Sequence, residues 1–417
     1  MRTESGNHQI STAQYRLSDL SMSLYFDYNA TTPLAPEVLD AMLPYLREEY
    51  GNASSIHRFG QRARAAVETA RAQLANLIHS EPSEIIFTGG GTEADNLALL
   101  GAVRASFLPR KHVITSSIEH PAVLYTCRAL EKEGIAVTYL PVSSQGFVDP
   151  SEVRRALRPE TVLITIMHAN NEIGTVQPVG EIAAIAREAG ILFHTDAVQT
   201  TGKIPVDVKA LGVDLLALSA HKFYGPKGVG ALYVRKGVTL HPVLFGGHGE
   251  HDPRPGTDNV SGIVGLGAAA RMAYDSMKHE SPRIGKLRDS LENGILRKVE
   301  DSGLNGPHTS IQDGRCVRVP NTTNMYFDYI EGESLVIALD LQGIACSTGS
   351  ACSSGAVEPS HVLTALGLSA QRAHSCLRFS LGRQTTQEEV DVLLRTLPPV
   401  VERLRALSPQ TPSVAQR

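Results

Sequence analysis

The stretch LGVDLLALSAHKFYGPKG (residues 211–228) joins an apolar, strand-like segment to a polar loop rich in Gly and Pro. The apolar part ends at Leu218, and Ser219, His221 and Lys222 follow it closely. A lysine at the end of a buried strand is partly desolvated, which lowers its pKa and makes its amine a nucleophile toward an aldehyde. A solvated loop lysine is the commoner case, so this stretch alone leaves both interpretations open.

Predicted strands alternate with predicted helices around this stretch. We predict strands at 84–88, 112–115, 135–140, 161–167, 191–195, 213–218 and 229–234, and helices at 61–79, 94–103, 121–133, 150–157, 180–189 and 205–210. A Gly/Pro/His loop at 246–262 and a long helix at 264–300 lead to a second region, with strands at 321–329 and 376–381 and helices at 333–342 and 387–406. The alternation indicates an α/β fold with a mostly parallel sheet, whose ligands bind at the carboxyl ends of the strands.

Bulk composition excludes several classes of function. The 417 residues carry a net charge of −4 without a run of Lys and Arg, so a nucleic-acid partner is not indicated. No apolar stretch approaches the roughly 20 residues that span a bilayer, and residues 1–22 are too polar for a secretion signal. The five cysteines are scattered without CxxC pairs. This usage favours a reducing compartment, and we expect a cytoplasmic protein without membrane contact.

A second strand ends in a carboxylate. The segment ILFHTDAVQ (191–199) reads as a strand running into Asp196, and one crossover of a parallel sheet would bring Asp196 to the same edge as Lys222. A Schiff-base lysine with an aspartate for the pyridinium nitrogen is the pattern of pyridoxal phosphate (PLP) enzymes. A helix N-cap is the ordinary alternative for Asp196.

The segment Gly89-Gly90-Gly91-Thr92 follows another predicted strand and precedes a helix. Free backbone N–H groups and a helix N-terminus at a strand end suit a phosphate group. The segment is neither a Walker loop nor a GxGxxG fingerprint, and an ordinary glycine-rich connection is the alternative.

Eight motifs occur in order along most of the chain. They are Asp27-Tyr28-Asn29-Ala30-Thr31-Thr32-Pro33, Gly91-Thr92-Glu93-Ala94-Asp95-Asn96, Glu119-His120, Asn170-Asn171-Glu172, Asp196-Ala197-Val198-Gln199, Ser219-Ala220-His221-Lys222, Gly349-Ser350-Ala351-Cys352 and Leu377-Arg378-Phe379-Ser380-Leu381-Gly382-Arg383. From Tyr25 to Thr386 the chain resembles the cysteine desulfurases, fold-type I PLP enzymes of the class V aminotransferase family.

The resemblance implies a role for each matching residue. Lys222 would carry PLP and move the substrate Cα proton, Asp196 would face the pyridine nitrogen, and His120 would stack on the ring and take the thiol proton. The phenolic oxygen would be held by Gln199 and Asn171, and the phosphate by Gly91, Thr92, Ser219, His221 and a second subunit's Thr257. Arg378 and Asn29 would bind the substrate. A helix-start histidine and a surface ion pair are the ordinary alternatives for His120 and Arg378.

The resemblance also implies a domain layout and a homodimer. A large PLP-binding domain would cover 37–270, and a small domain would combine 24–36 with 271–407. Residues 1–23 and 408–417 would be flexible tails.

Cysteine 352 distinguishes this chain from a plain aminotransferase. It lies in GIACSTGSACSSG (343–355), a small, polar segment that we expect to be mobile. The resemblance makes Cys352 the sulfur acceptor. Cys346 is expected to be buried, and we predict packing roles for Cys127, Cys316 and Cys376. No metal site is predicted, since Cys346 and Cys352 lack the tight spacing of zinc ligands.

The implied reaction converts L-cysteine to L-alanine with transfer of sulfur to Cys352 and then to an acceptor protein, such as a scaffold for iron–sulfur cluster assembly or a thiolation factor. A selenocysteine lyase or another PLP-dependent C–S lyase is the nearer alternative, and an idle sulfur-relay subunit is the more distant one. The chain departs from the family pattern at 246–257, where GGHGEHDPRPGT replaces the usual Gly-Gly-Gly, Gln or His, Glu-Arg-Gly order. That departure leaves the substrate preference open.

Overall fold

The computed structural model describes residues 23–247, 254–349 and 358–408. The predictions for the first 22 residues and for 409–417 lie outside these ranges, as do those for 248–253 and 350–357.

The described chain alternates strands and helices. The strands are β1 (Leu24–Tyr25), β2 (Ile85–Thr88), β3 (His112–Ser116), β4 (Ala136–Leu140), β5 (Thr161–Thr165), β6 (Leu192–Asp196), β7 (Leu215–Ser219), β8 (Gly230–Val234), β9 (Ser302–Asn305), β10 (Ile311–Gln312), β11 (Arg315–Cys316), β12 (Thr322–Phe327), β13 (Ile344–Ala345) and β14 (Cys376–Ser380). The helices are α1 (Pro36–Arg47), α2 (Arg58–Ile78), α3 (Gly91–Ala105), α4 (Pro121–Lys132), α5 (Pro150–Ala156), α6 (Val179–Glu188), α7 (Val208–Leu211), α8 (Val260–Lys298), α9 (Gly332–Asp340), α10 (His361–Ala365), α11 (Ala370–His374) and α12 (Gln387–Leu407).

The seven-stranded sheet has the order β2-β8-β7-β6-β5-β3-β4. Strands β3 to β7 pair in parallel, and β8 runs antiparallel to both of its neighbours. In the β6–β7 pair, Asp196 lies opposite Ala217. The ends of β6 and β7 therefore meet at one edge of the sheet, as the sequence predicts for Asp196 and Lys222.

Helix α8 connects two hydrophobic cores. Its first half contributes Leu266 and Ala270 to the core under the seven-stranded sheet, whereas its second half contributes Leu291 and Ile295 to another core. Burial of each large apolar side chain contributes about 1.5–3 kcal/mol. The domain boundaries at 37–270 and 271–407 remain a prediction. Of the helices in the described ranges, α8 included, none has both the length and the apolar character to cross a membrane.

The second core includes a three-stranded antiparallel sheet of order β14-β12-β9. The N-terminal strand β1 joins it by pairing in parallel with β13, where Leu24 lies opposite Ile344. Further along, the Thr32 N–H donates to the main-chain oxygen of His221 at 2.9 Å. Residues 24–33 thus cross from the second core to the lysine loop.

Several short elements were missed from the sequence: β9, β10, β11, β13, α10 and α11. Strands β10 and β11 form a hairpin around Asp313-Gly314, two residues with positive φ angles of 49° and 76°. An Asp-Gly pair of this kind is a strong hairpin signal that could have revealed it.

Candidate active site

Lys222 lies in a short 3-10 turn directly after β7. Its Nζ donates hydrogen bonds to the main-chain oxygens of Asn29 at 2.6 Å and Ala30 at 2.8 Å. Burial lowers its pKa from 10.5 to about 8, with a further decrease from the nearby Arg378. Asp196 and Asp27 oppose this shift. A substantial fraction of this amine is therefore neutral and nucleophilic near physiological pH.

Asp196 ends β6 and is buried. Its Oδ1 accepts a hydrogen bond from the Val198 N–H at 2.9 Å, within a turn. The N-cap alternative is wrong, because no helix begins there. Burial raises the pKa of this carboxyl, while His120 and Lys222 counteract the effect. A positively charged partner would therefore favour its ionised form.

His120 is the N-cap of α4, in agreement with the alternative interpretation of a histidine at a helix start. Its Nδ1 accepts from the Ala122 N–H at 3.1 Å. Burial lowers the pKa of the ring, so the neutral form with a proton on Nε2 is favoured. The capping role fixes the ring near Asp196.

Asp95, His120 and Asp196 each offer one ligand atom, and these atoms lie within 4.8 Å of one another. The spacing is compact enough for a cation. Burial raises the pKa of both Asp95 and Asp196, and a positive charge bound beside them would favour their ionised forms, whether it belongs to a metal ion or to a protonated ring nitrogen. The acidic cluster is therefore compatible with either group, and the Lys222 amine at the same sheet edge is the feature that indicates a cofactor with an aldehyde.

Asp95 and Glu119, two buried acidic residues near Asp196, were assigned no role from the sequence. Asp95 Oδ1 lies 3.5 Å from His194 Nε2, and neither atom has a hydrogen-bond partner among the described residues. Glu119 accepts from the Met167 N–H at 3.0 Å, and burial raises its pKa to about 8. Both residues belong to the quoted motifs, but their burial depends on contacts that the motifs do not reveal.

Two amides lie beside Lys222. The Gln199 Nε2 donates to the main-chain oxygen of Asn29 at 3.1 Å, the same oxygen that accepts from Lys222. Asn29 in turn donates from Nδ2 to the main-chain oxygen of Asn171 at 3.0 Å. The structure therefore brings together Lys222, Gln199, Asn29 and Asn171, and the roles that the resemblance implies for them stay predictions.

Arg378 is buried on β14 and forms an ion pair with Asp27, with 2.7 Å between Nη2 and Oδ1. Its Nη1 donates to the main-chain oxygen of Asn171 at 3.0 Å, and its buried Nε has no partner among the described residues. The surface ion pair considered from the sequence is therefore wrong, since both faces of β14 are buried. The contact with Asn171 places the guanidinium next to the amide cluster.

Helix α3 begins at Gly91, directly after the turn that follows β2. A Cβ added to Gly91 would lie 2.7 Å from Val198 Cγ2 and 3.5 Å from Ser219 Cβ, so this helix start packs against the ends of the neighbouring strands. Thr92 is exposed there, and the Ser219 hydroxyl caps no helix. His221 Nδ1 lies 3.0 Å from the Thr31 hydroxyl. Hydroxyl groups at a helix N-terminus fit a phosphate.

Thr257 is exposed in the segment that leads into α8. Its implied phosphate contact belongs to a second subunit, and that role stays a prediction.

Cys352 lies outside the described residues. Cys346 is buried, as predicted, and burial raises its pKa to about 12. Cys127 and Cys376 are buried too, in agreement with packing roles. The packing role predicted for Cys316 is wrong, because the hairpin of β10 and β11 leaves this residue exposed.

The residues present fit PLP. A lysine with a lowered pKa can bond an aldehyde, and a buried carboxylate can pair with a protonated ring nitrogen. The start of α3 and the hydroxyl groups near it are suited to bind the phosphate of the cofactor. Together with the sheet topology, this donor set defines a fold-type I enzyme of the PLP class.

Comparison with known proteins agrees with this class. The model of the family described as "Aminotransferase class-V" matches residues 24–393. The chain is 51% identical to "Cysteine desulfurase IscS" of Dictyoglomus turgidum over 94% of this chain and 97% of the relative. It is also 51% identical to "Cysteine desulfurase IscS" of Methanosarcina thermophila, over 95% of this chain and 96% of the relative.

Solved structures give the same result. A structure titled "NIFS-LIKE PROTEIN" superposes with a TM-score of 0.85 at 38% identity, covering 92% of this chain and all of the other (100%). A second, titled "SspA in complex with cysteine", has a TM-score of 0.76 at 39% identity and covers 86% and 98% of the two chains. The chain therefore belongs to the class V aminotransferase family and, within it, to the cysteine desulfurases. The family and the fold class predicted from the sequence are confirmed.

Proposed function

We propose that this chain is a PLP-dependent cysteine desulfurase that converts L-cysteine to L-alanine and carries the released sulfur on Cys352 as a persulfide. One observation carries the proposal. The Lys222 amine, whose pKa is lowered to about 8, lies at the sheet edge next to buried Asp196 in a chain about half identical to cysteine desulfurases.

The residues that hold PLP are those that surround Lys222. Lys222 would bond the cofactor aldehyde, and Asp196 would pair with the ring nitrogen. Gln199 and Asn171 would hold the phenolic oxygen, while the group at the start of α3 and the end of β7 would hold the phosphate: Gly91, Thr92, Ser219 and His221. When bound, PLP supplies an electron sink that stabilises negative charge at the substrate Cα.

Two groups of the chain move protons. Lys222 takes the proton from the substrate Cα, which its lowered pKa allows near neutral pH. His120 takes the proton of the substrate thiol at Nε2. The ring is deprotonated at neutral pH because burial lowers its pKa, but its Nδ1 accepts from Ala122, so the tautomer must change for Nε2 to act as a base.

The sulfur transfer balances without an external oxidant. The Cβ–Sγ bond of the substrate breaks, and a bond forms between that sulfur and the Cys352 thiolate. The electron pair of the broken bond stays with the carbon skeleton, and Cβ takes up a proton to become the methyl group of alanine. A sulfur acceptor protein then takes the outer sulfur and regenerates the Cys352 thiol.

Arg378 and Asn29 are the residues that bind the substrate in this proposal. Arg378 holds Asp27 through one terminal nitrogen and keeps its buried Nε unpartnered among the described residues. A guanidinium fixed in this way is suited to an α-carboxylate. Asn29 links this arginine to Lys222 through its contact with Asn171.

We also propose a homodimer in which Thr257 of each chain reaches the phosphate site of the other, which its exposure permits. The reaction needs a free Cys352 thiol, so the reducing cytoplasm is the compartment that we propose.

The proposal is tested with purified protein, L-cysteine and a reductant by following alanine and sulfide over time. We expect equal amounts of both, and no turnover after Cys352→Ala. Selenocysteine is the comparison substrate for the alternative reaction. Activity on selenocysteine that survives Cys352→Ala, without activity of the parent on cysteine, would favour a selenocysteine lyase.

A further inference from the structure

Lys203 follows the turn after β6 and directs its amine into the cluster around Asn29. Its Nζ donates to Gln199 Oε1 at 2.7 Å and to Asn29 Oδ1 at 3.1 Å. The residue as a whole is partly exposed, but its amine is enclosed, and burial lowers its pKa well below the ordinary value. Among the described residues, no carboxylate forms an ion pair with it.

The amine selects one orientation of the Gln199 amide. The amine donates to Asn29 Oδ1 and to Gln199 Oε1, so the carbonyl oxygen of the Gln199 amide faces it. The Nε2 of Gln199 is then turned to the other side, where it donates to the Asn29 oxygen that also accepts from Lys222. Within the described part of the chain, Gln199 Oε1 has Lys203 as its hydrogen-bond partner and no other.

Asn29 does not depend on Lys203 in the same way. Its Oδ1 also accepts from Asn321 Nδ2 at 2.9 Å, and its Nδ2 donates to Thr322 at 2.8 Å. These bonds fix the Asn29 amide by themselves. Loss of the Lys203 amine therefore removes one of the two bonds that orient the Gln199 amide, leaves the bond from Nε2 to the Asn29 main-chain oxygen, and keeps Asn29 in place.

We propose that Lys203 is a positioning residue that holds the Gln199 amide with its N–H groups toward the phenolic oxygen of the cofactor. The proposal rests on the proposed function, because it takes PLP as the ligand. A donor on that oxygen favours its anionic form and lowers the pH at which the visible absorbance of the bound cofactor changes. Without Lys203 the Gln199 amide is held from one side only, its donation to the phenolic oxygen weakens, and this pH rises.

Other charged groups face the same region. Lys222 and Arg378 are the cationic neighbours of Lys203, and Glu280 lines the same cavity. They are present in every variant of the test, so their effects cancel in a comparison between variants.

The experiment is a double-mutant cycle on the holoenzyme without substrate, with the pH midpoint of the cofactor absorbance as the readout. The four proteins are the parent, Lys203→Met, Gln199→Ala and the double variant. We expect Lys203→Met to raise the midpoint by about half a unit to one unit, the value of one hydrogen bond. The same substitution in the Gln199→Ala background should leave the midpoint unchanged, and Lys203→Arg should restore the parent value.

An equal change of the pH midpoint on Lys203→Met in the parent and in the Gln199→Ala protein would overturn the proposal, because Lys203 would then act without Gln199. An unchanged midpoint in Lys203→Met would overturn it as well. If Lys203→Met loses its cofactor, Lys203→Gln provides the same comparison. Failure of the proposed function is distinguishable, because the parent would then bind PLP without forming alanine from cysteine, and the cycle would still report on Lys203.

Discussion

The Lys222 amine lies 2.6 Å from the main-chain oxygen of Asn29, and this bond joins the edge of the large sheet to the N-terminal segment. Asn29 follows β1, which pairs with β13 of the second core. The position of the reactive amine therefore depends on both hydrophobic cores. Its lowered pKa results from burial and from the charge of Arg378 on β14.

The pKa of Lys222 sets the pH dependence of cofactor loading. An amine reacts with an aldehyde in its neutral form, and this form increases as the pH rises through the pKa. We expect the rate at which cofactor-free protein binds PLP to rise with pH and to level off above about 8, the pKa of the buried amine. Stopped-flow absorbance measures the rate. A rate that keeps rising toward 10.5, the ordinary lysine value, would contradict the buried amine.

Asp196→Asn separates the charge of Asp196 from its structural role. The asparagine oxygen can still accept the Val198 N–H, so the turn and the fold should be retained. The negative charge opposite the ring nitrogen is lost, and we expect kcat to fall by about 10²–10³-fold, as for other electrostatic groups in active sites. Steady-state alanine formation measures the change, and thermal unfolding serves as the control. A variant that unfolds like the parent and keeps its kcat would argue against the proposed role.

Burial distinguishes two ion pairs of equal length. Asp27–Arg378 and Asp328–Arg372 both have 2.7 Å contacts, but the arginine side chains are 5% and 44% exposed. Asp27→Asn leaves a buried guanidinium without its charge partner, and we expect a loss of about 3 kcal/mol in stability. The matched change Asp328→Asn should cost less than about 1 kcal/mol. Denaturant unfolding measures both, and equal losses would contradict the assigned burial.

His168 is buried beside Asp196 and lies 2.9 Å from the Thr200 hydroxyl. Burial lowers its pKa from 6.5 to about 4. Between these pH values the unfolded chain binds the additional proton, so the contribution of a neutral His168 to stability is lost as the pH falls. We expect the Tm advantage of the parent over His168→Gln to shrink from pH 7 toward about pH 4. A constant difference would show that the folded-state pKa is not lowered.

The site residues that could be predicted from the sequence are those that lie at or directly after the end of a strand. Asp196 and Lys222 follow apolar segments, and parallel pairing brings such ends together. The burial of Arg378 and the contact between Lys203 and Asn29 depend on residues distant in sequence, so no local pattern reveals them. Cys316 was misplaced because its exposure follows from a hairpin that was overlooked.

The most direct test of the central claim is a single turnover of L-cysteine without reductant, followed by mass spectrometry of peptides from the protein. We predict one alanine per subunit and a mass increase of one sulfur atom on the peptide that contains Cys352. Cys346→Ala is the matched control and should give the same result, since that thiol is buried with a pKa of about 12. Alanine formed in full from Cys352→Ala, or sulfur found on Cys346, would contradict the account.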